Sequence, residues 1–222
     1  MKTITPPPNL VEQVADAIFE GVLTGELKPG ERVIQEHVAQ RLGVSRQPVQ
    51  QALLLLRNRG LLVDAPGRGL MVPALEWSDV ERVYEIRASL EALACRLAID
   101  HVTKADLKRG AEILARGRHA VKKSHVGNMV AADIAFHELL YQLSRNPLIS
   151  TTMAPHLVFT QRAMGEVLRR DQEPRDIWAQ HEAIWEAITQ GDAAKAEALV
   201  RAHLLNACGY LIDRLKKIEP LV

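Results

Sequence analysis

The fold is decided by one stretch, Arg41-Leu42-Gly43-Val44-Ser45-Arg46-Gln47-Pro48-Val49-Gln50-Gln51-Ala52-Leu53. Gly43 supplies the backbone freedom that a chain needs to leave one helix and enter another at a steep angle. Ser45 is suited to cap the second helix, and Pro48 is tolerated in its first turn because no N–H is needed there. The stretch therefore predicts the turn and second helix of a helix-turn-helix.

The predicted second helix has two different faces. An apolar stripe with the spacing i, i+3, i+4 and i+7 is formed by Val49, Ala52, Leu53 and Leu56. The opposite face presents Arg46, Gln47, Gln50 and Gln51. Arginine pairs with guanine, and glutamine with adenine, in a DNA major groove. This face is interpreted as a base-reading surface, and the alternative is an ordinary solvated helix face.

A two-stranded wing is predicted after this helix. Gly60 is placed to end the helix, and Leu61-Leu62-Val63 can pair with Leu70-Met71-Val72 across a turn at 64–69. Arg68 lies at the tip of that turn, where an arginine can enter a minor groove. The wing makes the solvated-face alternative weaker.

Residues 10–73 resemble the winged helix-turn-helix of the GntR family of bacterial transcription factors. The pieces that carry the resemblance occur in order as Lys28-Pro29-Gly30-Glu31, Leu42-Gly43-Val44-Ser45-Arg46, Pro48-Val49, Ala52-Leu53, Gly60-Leu61 and Arg68-Gly69. The expected DNA-contacting residues are Arg41, Ser45, Arg46, Gln47, Gln50, Arg68 and Gly69. The family usually has Arg-Glu where this chain has Gln50-Gln51, so we expect an altered operator preference before lost binding.

Composition and charge bound the class of protein. The 222 residues are 47% hydrophobic and only 4% aromatic, which favours a helical globular protein of one large or two ordinary domains. The sequence has no apolar segment long enough to span a membrane and no signal region, so a soluble cytoplasmic protein without membrane partners is expected. The net charge is only +1, but residues 37–75 carry five arginines against one aspartate, which is the local footprint expected for phosphate contact.

Four segments are predicted: a flexible arm at 1–9, a DNA-binding domain at 10–73, a linker at 74–77 and a helical domain at 78–222. Capping and breaking signals in the last segment predict six helices, at about 78–101, 104–122, 126–145, 147–170, 174–190 and 192–217. Ser78 and Glu81 are expected to form a capping box, and Thr103 with Asp106 marks the next helix start. The fold class is therefore mostly α, with a small wing and an all-α bundle.

Cys95 and Cys208 lie far apart in the sequence and lack CxxC spacing, so both are expected to be reduced core thiols.

Four side chains of the predicted bundle have the chemistry of a metal site. Asp133 and His137 are i and i+4, so they share one helix face. His181 and His203 each lie near the apolar side of their own helix, where an unpaired imidazole is costly. One carboxylate and three imidazoles suit Zn²⁺, with Ni²⁺, Fe²⁺ and Mn²⁺ as alternatives. Spacing alone leaves open whether the three helices converge.

Residues 78–215 resemble the FCD ligand-binding domain of the FadR subfamily of GntR regulators, in its shorter, VanR-like branch with six helices. The resemblance rests on Glu85-Ile86-Arg87, Leu90-Glu91, Asp133, Phe136-His137, Asn146-Pro147, His181, Ala187-Ile188, Gly191-Asp192 and Arg201-Ala202-His203-Leu204. It implies that Asp133, His137, His181 and His203 hold a metal at the floor of an effector pocket. Two open coordination positions would suit a carboxylate, with Arg87 at the other end of the acid and Arg162 as a second candidate. The alternative for both arginines is a surface salt bridge.

The leading hypothesis is a homodimeric repressor rather than an enzyme. Its metal-containing bundle would bind a small organic or sugar acid and change how two winged domains meet a near-palindromic DNA operator. A second hypothesis is a metal-dependent hydrolase that uses the same Asp/His₃ site, but it lacks an evident general base and leaves the DNA-binding domain unexplained. A third makes the metal structural, or makes the metal itself the signal.

Overall fold

A computed structural model describes residues 9–170 and 177–218. Over these residues the elements are α1 (Leu10–Leu23), β1 (Arg32–Val33), α2 (Gln35–Leu42), α3 (Arg46–Asn58), β2 (Val63–Asp64), β3 (Leu70–Met71), α4 (Trp77–Ala98), a 3₁₀ turn (Ile99–His101), α5 (Lys104–Lys122), α6 (Val126–Leu143), α7 (Pro147–Leu168), α8 (Trp178–Thr189) and α9 (Ala193–Ile218). The chain divides into two compact units between Leu75 and Glu76. The predicted fold class, a winged helix-turn-helix followed by an all-α bundle, is confirmed.

Helices α2 and α3 form the helix-turn-helix. Gly43 ends α2 with φ of 65°, a left-handed conformation that glycine adopts without strain. Ser45 is the N-cap residue of α3, but its side chain accepts no capping hydrogen bond. The predicted apolar stripe of α3 is buried, whereas Arg46, Gln47 and Gln50 are exposed. The helix therefore presents the predicted polar face to solvent.

The wing is a three-stranded antiparallel sheet with the order β1-β3-β2, not the predicted two-stranded one. Arg32 of β1 and Val63 of β2 both lie opposite Met71 of β3. A two-residue strand such as β1 is too short for an alternating pattern to predict it. The side chain of Arg32 also donates hydrogen bonds to the backbone oxygens of Pro66, at 2.5 Å, and Arg68, at 3.0 Å. The extra strand therefore ties the wing to the chain that precedes the helix-turn-helix.

The second unit contains six α-helices within the described residues, at nearly the predicted positions. Thr103 and Asp106 form a complete capping box at the start of α5. The capping box predicted for Ser78 and Glu81 is wrong, because α4 begins at Trp77 and its N-cap, Glu76, makes no side-chain cap. The predicted start of the fifth bundle helix at 174 lies outside the described residues.

Helices α5 and α8 approach each other at two glycines of α5. A Cβ atom at Gly110 would lie 2.3 Å from the ring of Trp185, and one at Gly117 would lie 2.1 Å from the ring of Trp178. Both distances are far below van der Waals contact, so any larger side chain would force the tryptophans to move. The glycines thus set the distance of α8, and of His181 within it, from α5.

Both cysteines are free thiols. Cys95 is buried as predicted, and Cys208 is only half-buried. No helix in the described ranges has both the length and the apolar character needed to cross a membrane.

Candidate functional site

Four ligand-type side chains converge in the core of the second unit. Asp133 and His137 come from α6, His181 from α8 and His203 from α9. Their ligand atoms all lie within 4.8 Å of one another. None of the four residues is more than 3% exposed. The convergence that sequence spacing left open is therefore present.

The histidines are held in the form that binds metals. Burial lowers the pKa of His181 well below its usual value, and nearby His203 and His137 lower it further. Burial likewise lowers the pKa of His203 to about 3. Both imidazoles are therefore neutral near pH 7, and metal binding requires neutral histidine. Burial raises the pKa of Asp133, which a bound cation would oppose.

The ring nitrogens of His181 make the case for a metal stronger. Neither Nδ1 nor Nε2 has a hydrogen-bond partner among the described residues. Nε2 lies 3.3 Å from Oδ1 of Asp133 without forming a hydrogen bond of adequate geometry. Leaving such a buried polar group unsatisfied costs about 1–3 kcal/mol. A divalent ion bound by these donors would remove that cost, so the residues fit a transition-metal site.

Arg87 of α4 is buried beside this cluster. Its Nε donates to Oε1 of Glu91 at 2.8 Å, its Nη1 donates to Oγ1 of Thr160 at 3.3 Å, and its guanidinium lies 4.7 Å from the ring centroid of Tyr84. Nη2 has no hydrogen-bond partner among the described residues. Burial disfavours the charge, but Glu91 keeps the pKa of Arg87 above its usual value. The surface salt bridge considered for Arg87 is contradicted, because the side chain is only 1% exposed.

Glu91 connects Arg87 to the Asp/His cluster. Its Oε1 also accepts a hydrogen bond from the hydroxyl of Tyr141 at 2.7 Å, and its Oε2 lies 2.5 Å from Nδ1 of His137. Burial works to raise the pKa of Glu91, but Arg87 and His137 together hold it well below its usual value. The carboxylate is therefore ionised, with its oxygens shared among three partners.

One cavity of about 70 Å³ adjoins both the cluster and Arg87. Its polar lining includes Tyr84, Arg87, Asp133, His137, Gln180 and His203. Much of the remaining wall is aliphatic and comes from α7 and α9. An apolar wall with a few polar side chains is the kind of lining that ligand sites have.

Arg162, the second candidate for binding an effector, does not line this cavity. It is buried on α7, and burial lowers its pKa to about 10 against the opposing effect of Glu166. The structure brings Arg87 to the cluster and leaves Arg162 outside the cavity wall.

Sequence reasoning assigned no role to four polar residues around the cluster, namely Tyr84, Glu91, Tyr141 and Gln180. Two of them carried a usable signal, because Glu91 is four residues after Arg87 and Tyr141 is four residues after His137. The contact of Gln180 with His203, at 3.0 Å between Oε1 and Nδ1, joins two helices. Such a contact between helices has no signature in local spacing.

The candidate DNA-contacting residues are all exposed. The arginines of this unit are less free than their sequence count suggests, because Arg41 pairs with Glu26 and Arg46 pairs with Glu36. Glu26 precedes the helix-turn-helix, and Glu36 lies in its first helix, α2. Arg68 on the wing is exposed and has no acidic partner within the described ranges. Among the arginines predicted to contact DNA, Arg68 at the wing tip is thus the one whose charge no nearby acid in those ranges offsets.

A winged helix-turn-helix joined to a helical domain with a buried Asp/His cluster is the architecture of a DNA-binding transcription regulator. Residues 10–72 match the family described as bacterial regulatory proteins, gntR family, and residues 82–206 match the FCD domain. The chain belongs to the GntR family of bacterial transcriptional regulators, in the group that carries an FCD domain.

Similar proteins are regulators as well. An HTH-type transcriptional regulator in an unstable DNA locus of Streptomyces ambofaciens is 32% identical over 204 residues, which cover 90% of this chain and 83% of that protein. The HTH-type regulator YdhC of Bacillus subtilis is 29% identical over 197 residues, covering 86% and 85%. The structure of McbR/YncC of E. coli has the same fold, with a TM-score of 0.82 at 23% identity over 96% of this chain and 100% of that one. The chain is accordingly a regulator and not the hydrolase considered above.

Proposed function

We propose that the protein is a homodimeric repressor that releases its operator when a small carboxylic acid binds beside a divalent metal. The metal would be held by Asp133, His137, His181 and His203, with Zn²⁺ as the first choice and Ni²⁺, Fe²⁺ or Mn²⁺ as alternatives. The functional parts would be a DNA-binding domain at 10–73 and an effector domain at 78–222. The protein would act in the cytoplasm, on a near-palindromic operator that matches its two-fold symmetry.

One observation carries the proposal: Nη2 of Arg87 is buried, with no hydrogen-bond partner among the described residues, beside the cavity that Asp133, His137 and His203 also line. A metal with open coordination positions would bind one end of an acid, and the planar guanidinium would donate to another acidic oxygen. The cavity of about 70 Å³ holds only a few non-hydrogen atoms. A short acid therefore suits it better than a long acyl chain.

The DNA contacts proposed are those of the exposed face of α3 and of the wing. Gln47 and Gln50 would read base edges in the major groove, and Arg68 with Gly69 would approach the minor groove. Arg41, Ser45 and Arg46 would complete the contact set once phosphates replace the acidic partners of the two arginines. Linking the acid to the operator requires a coupling free energy of only about 1–3 kcal/mol.

Thermal unfolding of the purified protein tests the effector site. Chelator-treated and Zn²⁺-loaded samples would be heated with and without each member of a panel of short carboxylic and sugar acids. At a hundred times its dissociation constant, a ligand adds about 2.7 kcal/mol, or roughly 5–10 °C for a chain of this size. We expect a shift of that size that requires both the metal and one acid. The same acid should weaken operator binding more than about tenfold, which corresponds to about 1.4 kcal/mol.

Two variants control this experiment. Asp133→Ala should abolish the metal-dependent shift, whereas His119→Ala, on the exposed face of α5, should leave it unchanged. If Zn²⁺ raises the melting temperature but no acid does, the acid site is wrong and operator binding with and without metal decides whether the metal is the signal. If neither Zn²⁺ nor any acid changes the melting temperature, the proposed metal site is wrong as well.

A further inference from the structure

Two of the three histidines of the cluster have a hydrogen-bond partner on ring nitrogen Nδ1. Nδ1 of His137 lies 2.5 Å from Oε2 of Glu91, and Nδ1 of His203 lies 3.0 Å from Oε1 of Gln180. The other nitrogen of His137, Nε2, lies 3.8 Å from Oδ2 of Asp133. In both rings, therefore, the engaged nitrogen is Nδ1 and the nitrogen left for a metal is Nε2.

We infer that Glu91 is a positioning residue for the metal site: its carboxylate accepts the Nδ1 proton of His137 and thereby leaves Nε2 of His137 unprotonated toward Asp133. The inference rests on the metal site proposed above. A neutral imidazole carries one ring proton, so the group that accepts it decides which nitrogen can bind a metal. Partners of this kind also fix the orientation of the ring and make it a stronger ligand.

Two hydrogen bonds at the other carboxylate oxygen fix the orientation of the Glu91 side chain. Its Oε1 is occupied by Nε of Arg87, at 2.8 Å, and by the hydroxyl of Tyr141, at 2.7 Å. Both are donors, so they require an acceptor at Oε1 and direct Oε2 toward His137. Arg87 also balances the negative charge of Glu91 in a site where both side chains are at most 1% exposed. The same arginine that faces the cavity thus holds the group that orients the metal ligand.

His181 provides a contrast within the cluster. Neither of its ring nitrogens has a hydrogen-bond partner among the described residues. Aromatic side chains surround it instead, with ring centroids 4.5 Å away at Phe136 and 4.8 Å away at Trp178. No hydrogen bond among the described residues fixes the orientation of this ring. Glu91 thus supplies a charged acceptor at hydrogen-bond distance from Nδ1 of His137, while Gln180 supplies a neutral acceptor to His203.

The variant Glu91→Gln isolates this role because an amide has nearly the shape of a carboxylate. Its Oε1 would still accept from Arg87 and Tyr141, so its Nε2 would face His137 as a donor. His137 would then have to accept at Nδ1 and carry its proton on Nε2, where a metal would bind. The matched control is Glu166→Gln, which changes another buried carboxylate, on α7, that pairs with Arg169 and Arg170 just beyond the end of that helix.

The first measurement records long-range ¹H–¹⁵N correlations of the histidine rings in the full-length, chelator-treated protein. We expect the Nδ1–H tautomer of His137 in the wild type and in Glu166→Gln, and the Nε2–H tautomer in Glu91→Gln. An Nε2–H tautomer in the wild type, or no change in Glu91→Gln, would overturn the inference. A residue that only stabilises the fold would lower the melting temperature without moving the proton.

The second measurement determines Zn²⁺ affinity by competition with a chromogenic chelator at constant pH. Glu91→Gln should bind Zn²⁺ about 10–100-fold more weakly than the wild type, while Glu166→Gln should stay within about twofold. If the wild type binds Zn²⁺ and Glu91→Gln binds it equally well, the positioning role is wrong and the metal site stands. If the wild type binds no Zn²⁺, the metal site is wrong, and the tautomer of His137 still decides what Glu91 does.

Discussion

His203 and His181 illustrate how burial changes the chemistry of a single residue. Their pKa values are lowered, chiefly by burial, in the folded protein, to about 3 for His203, whereas the usual value is 6.5. The unfolded chain therefore binds protons on these residues at a pH where the folded chain does not. Their contribution to stability is complete above about pH 6.5 and is lost as the pH falls toward the folded-state pKa.

We expect the metal-free protein to lose stability between about pH 6 and 4.5, with each buried histidine contributing up to about 1.4 kcal/mol per pH unit. The measurement is urea unfolding in chelator at a series of pH values. His203→Gln should have a shallower slope, by about one proton, because it removes one of the two groups. His119→Gln, on the exposed face of α5, should keep the wild-type slope. Equal slopes in all three proteins would contradict this explanation.

Single residues also show what the sequence could predict about the site. The pairing of Asp133 with His137 follows from helical spacing. His181 and His203 became candidates because each lies on the apolar side of its helix, and the family resemblance implied the same ligands and supplied Arg87. The sequence did not predict that Glu91 contacts His137 or that Gln180 contacts His203. These hydrogen bonds join α4 to α6 and α8 to α9, so they depend on how the helices pack and not on local sequence. Arg162 was predicted from its place on one helix, and the structure leaves it outside the cavity wall.

At the level of elements, the contact of α5 with α8 depends on the absence of side chains at Gly110 and Gly117. We expect Gly117→Ala to destabilise the protein by about 1–3 kcal/mol, because its Cβ would lie 2.1 Å from the ring of Trp178 and the core must rearrange. Thermal or urea unfolding measures this change. The effect is opposite to the usual gain from replacing a helical glycine by alanine.

The matched control is Gly209→Ala in α9, where the new Cβ would meet no atom within 4 Å. There the lower flexibility of the unfolded chain dominates, and we expect stabilisation by about 0.5–1 kcal/mol. Destabilisation by both variants, or by neither, would show that contact with the tryptophans does not decide the result.

Elements were predicted well where their signals are local and long. The helices of the bundle follow from apolar periodicity and from breakers such as Asn146-Pro147, and Thr103 caps α5 as its sequence suggests. Strand β1 was missed because a two-residue strand exists only through its pairing with β3. The Ser78 cap failed because α4 begins before that residue, at a position without a side-chain cap.

For the whole molecule, a net charge of +1 makes DNA binding depend on where charges lie. Glu26 and Glu36 offset the charges of Arg41 and Arg46, whereas Arg68 on the wing has no acidic partner in the described part of the chain. In the folded protein, part of the positive charge that the sequence predicted for residues 37–75 is therefore neutralised by acidic residues outside that range. The sequence could count the charges but could not predict which acids would fold beside which arginines.

We expect Arg68→Ala to lower affinity for operator DNA by about tenfold or more. The measurement is fluorescence anisotropy, at several salt concentrations, on duplexes that the wild type selects from a random library. If Arg68 contacts a phosphate, the slope of log affinity against log salt should become shallower by about one. Lys108→Ala, which removes an exposed charge from α5 of the helical domain, should leave both affinity and slope unchanged. If Arg68→Ala binds operator DNA with unchanged affinity, the proposal that the wing contacts DNA is wrong.

The hydrogen bonds from Arg32 to the backbone of Pro66 and Arg68 have a consequence for the cost of binding. The turn they hold contains Gly67 and Gly69, whose φ values of 87° and 94° belong to a conformation that glycine visits freely but does not keep by itself. With Arg32 in place, the wing has lost much of its conformational entropy before any DNA arrives, so little remains to be lost on association. Because the wing is preorganised in this way, little of the free energy gained from the DNA contacts of Arg68 is spent on ordering the wing.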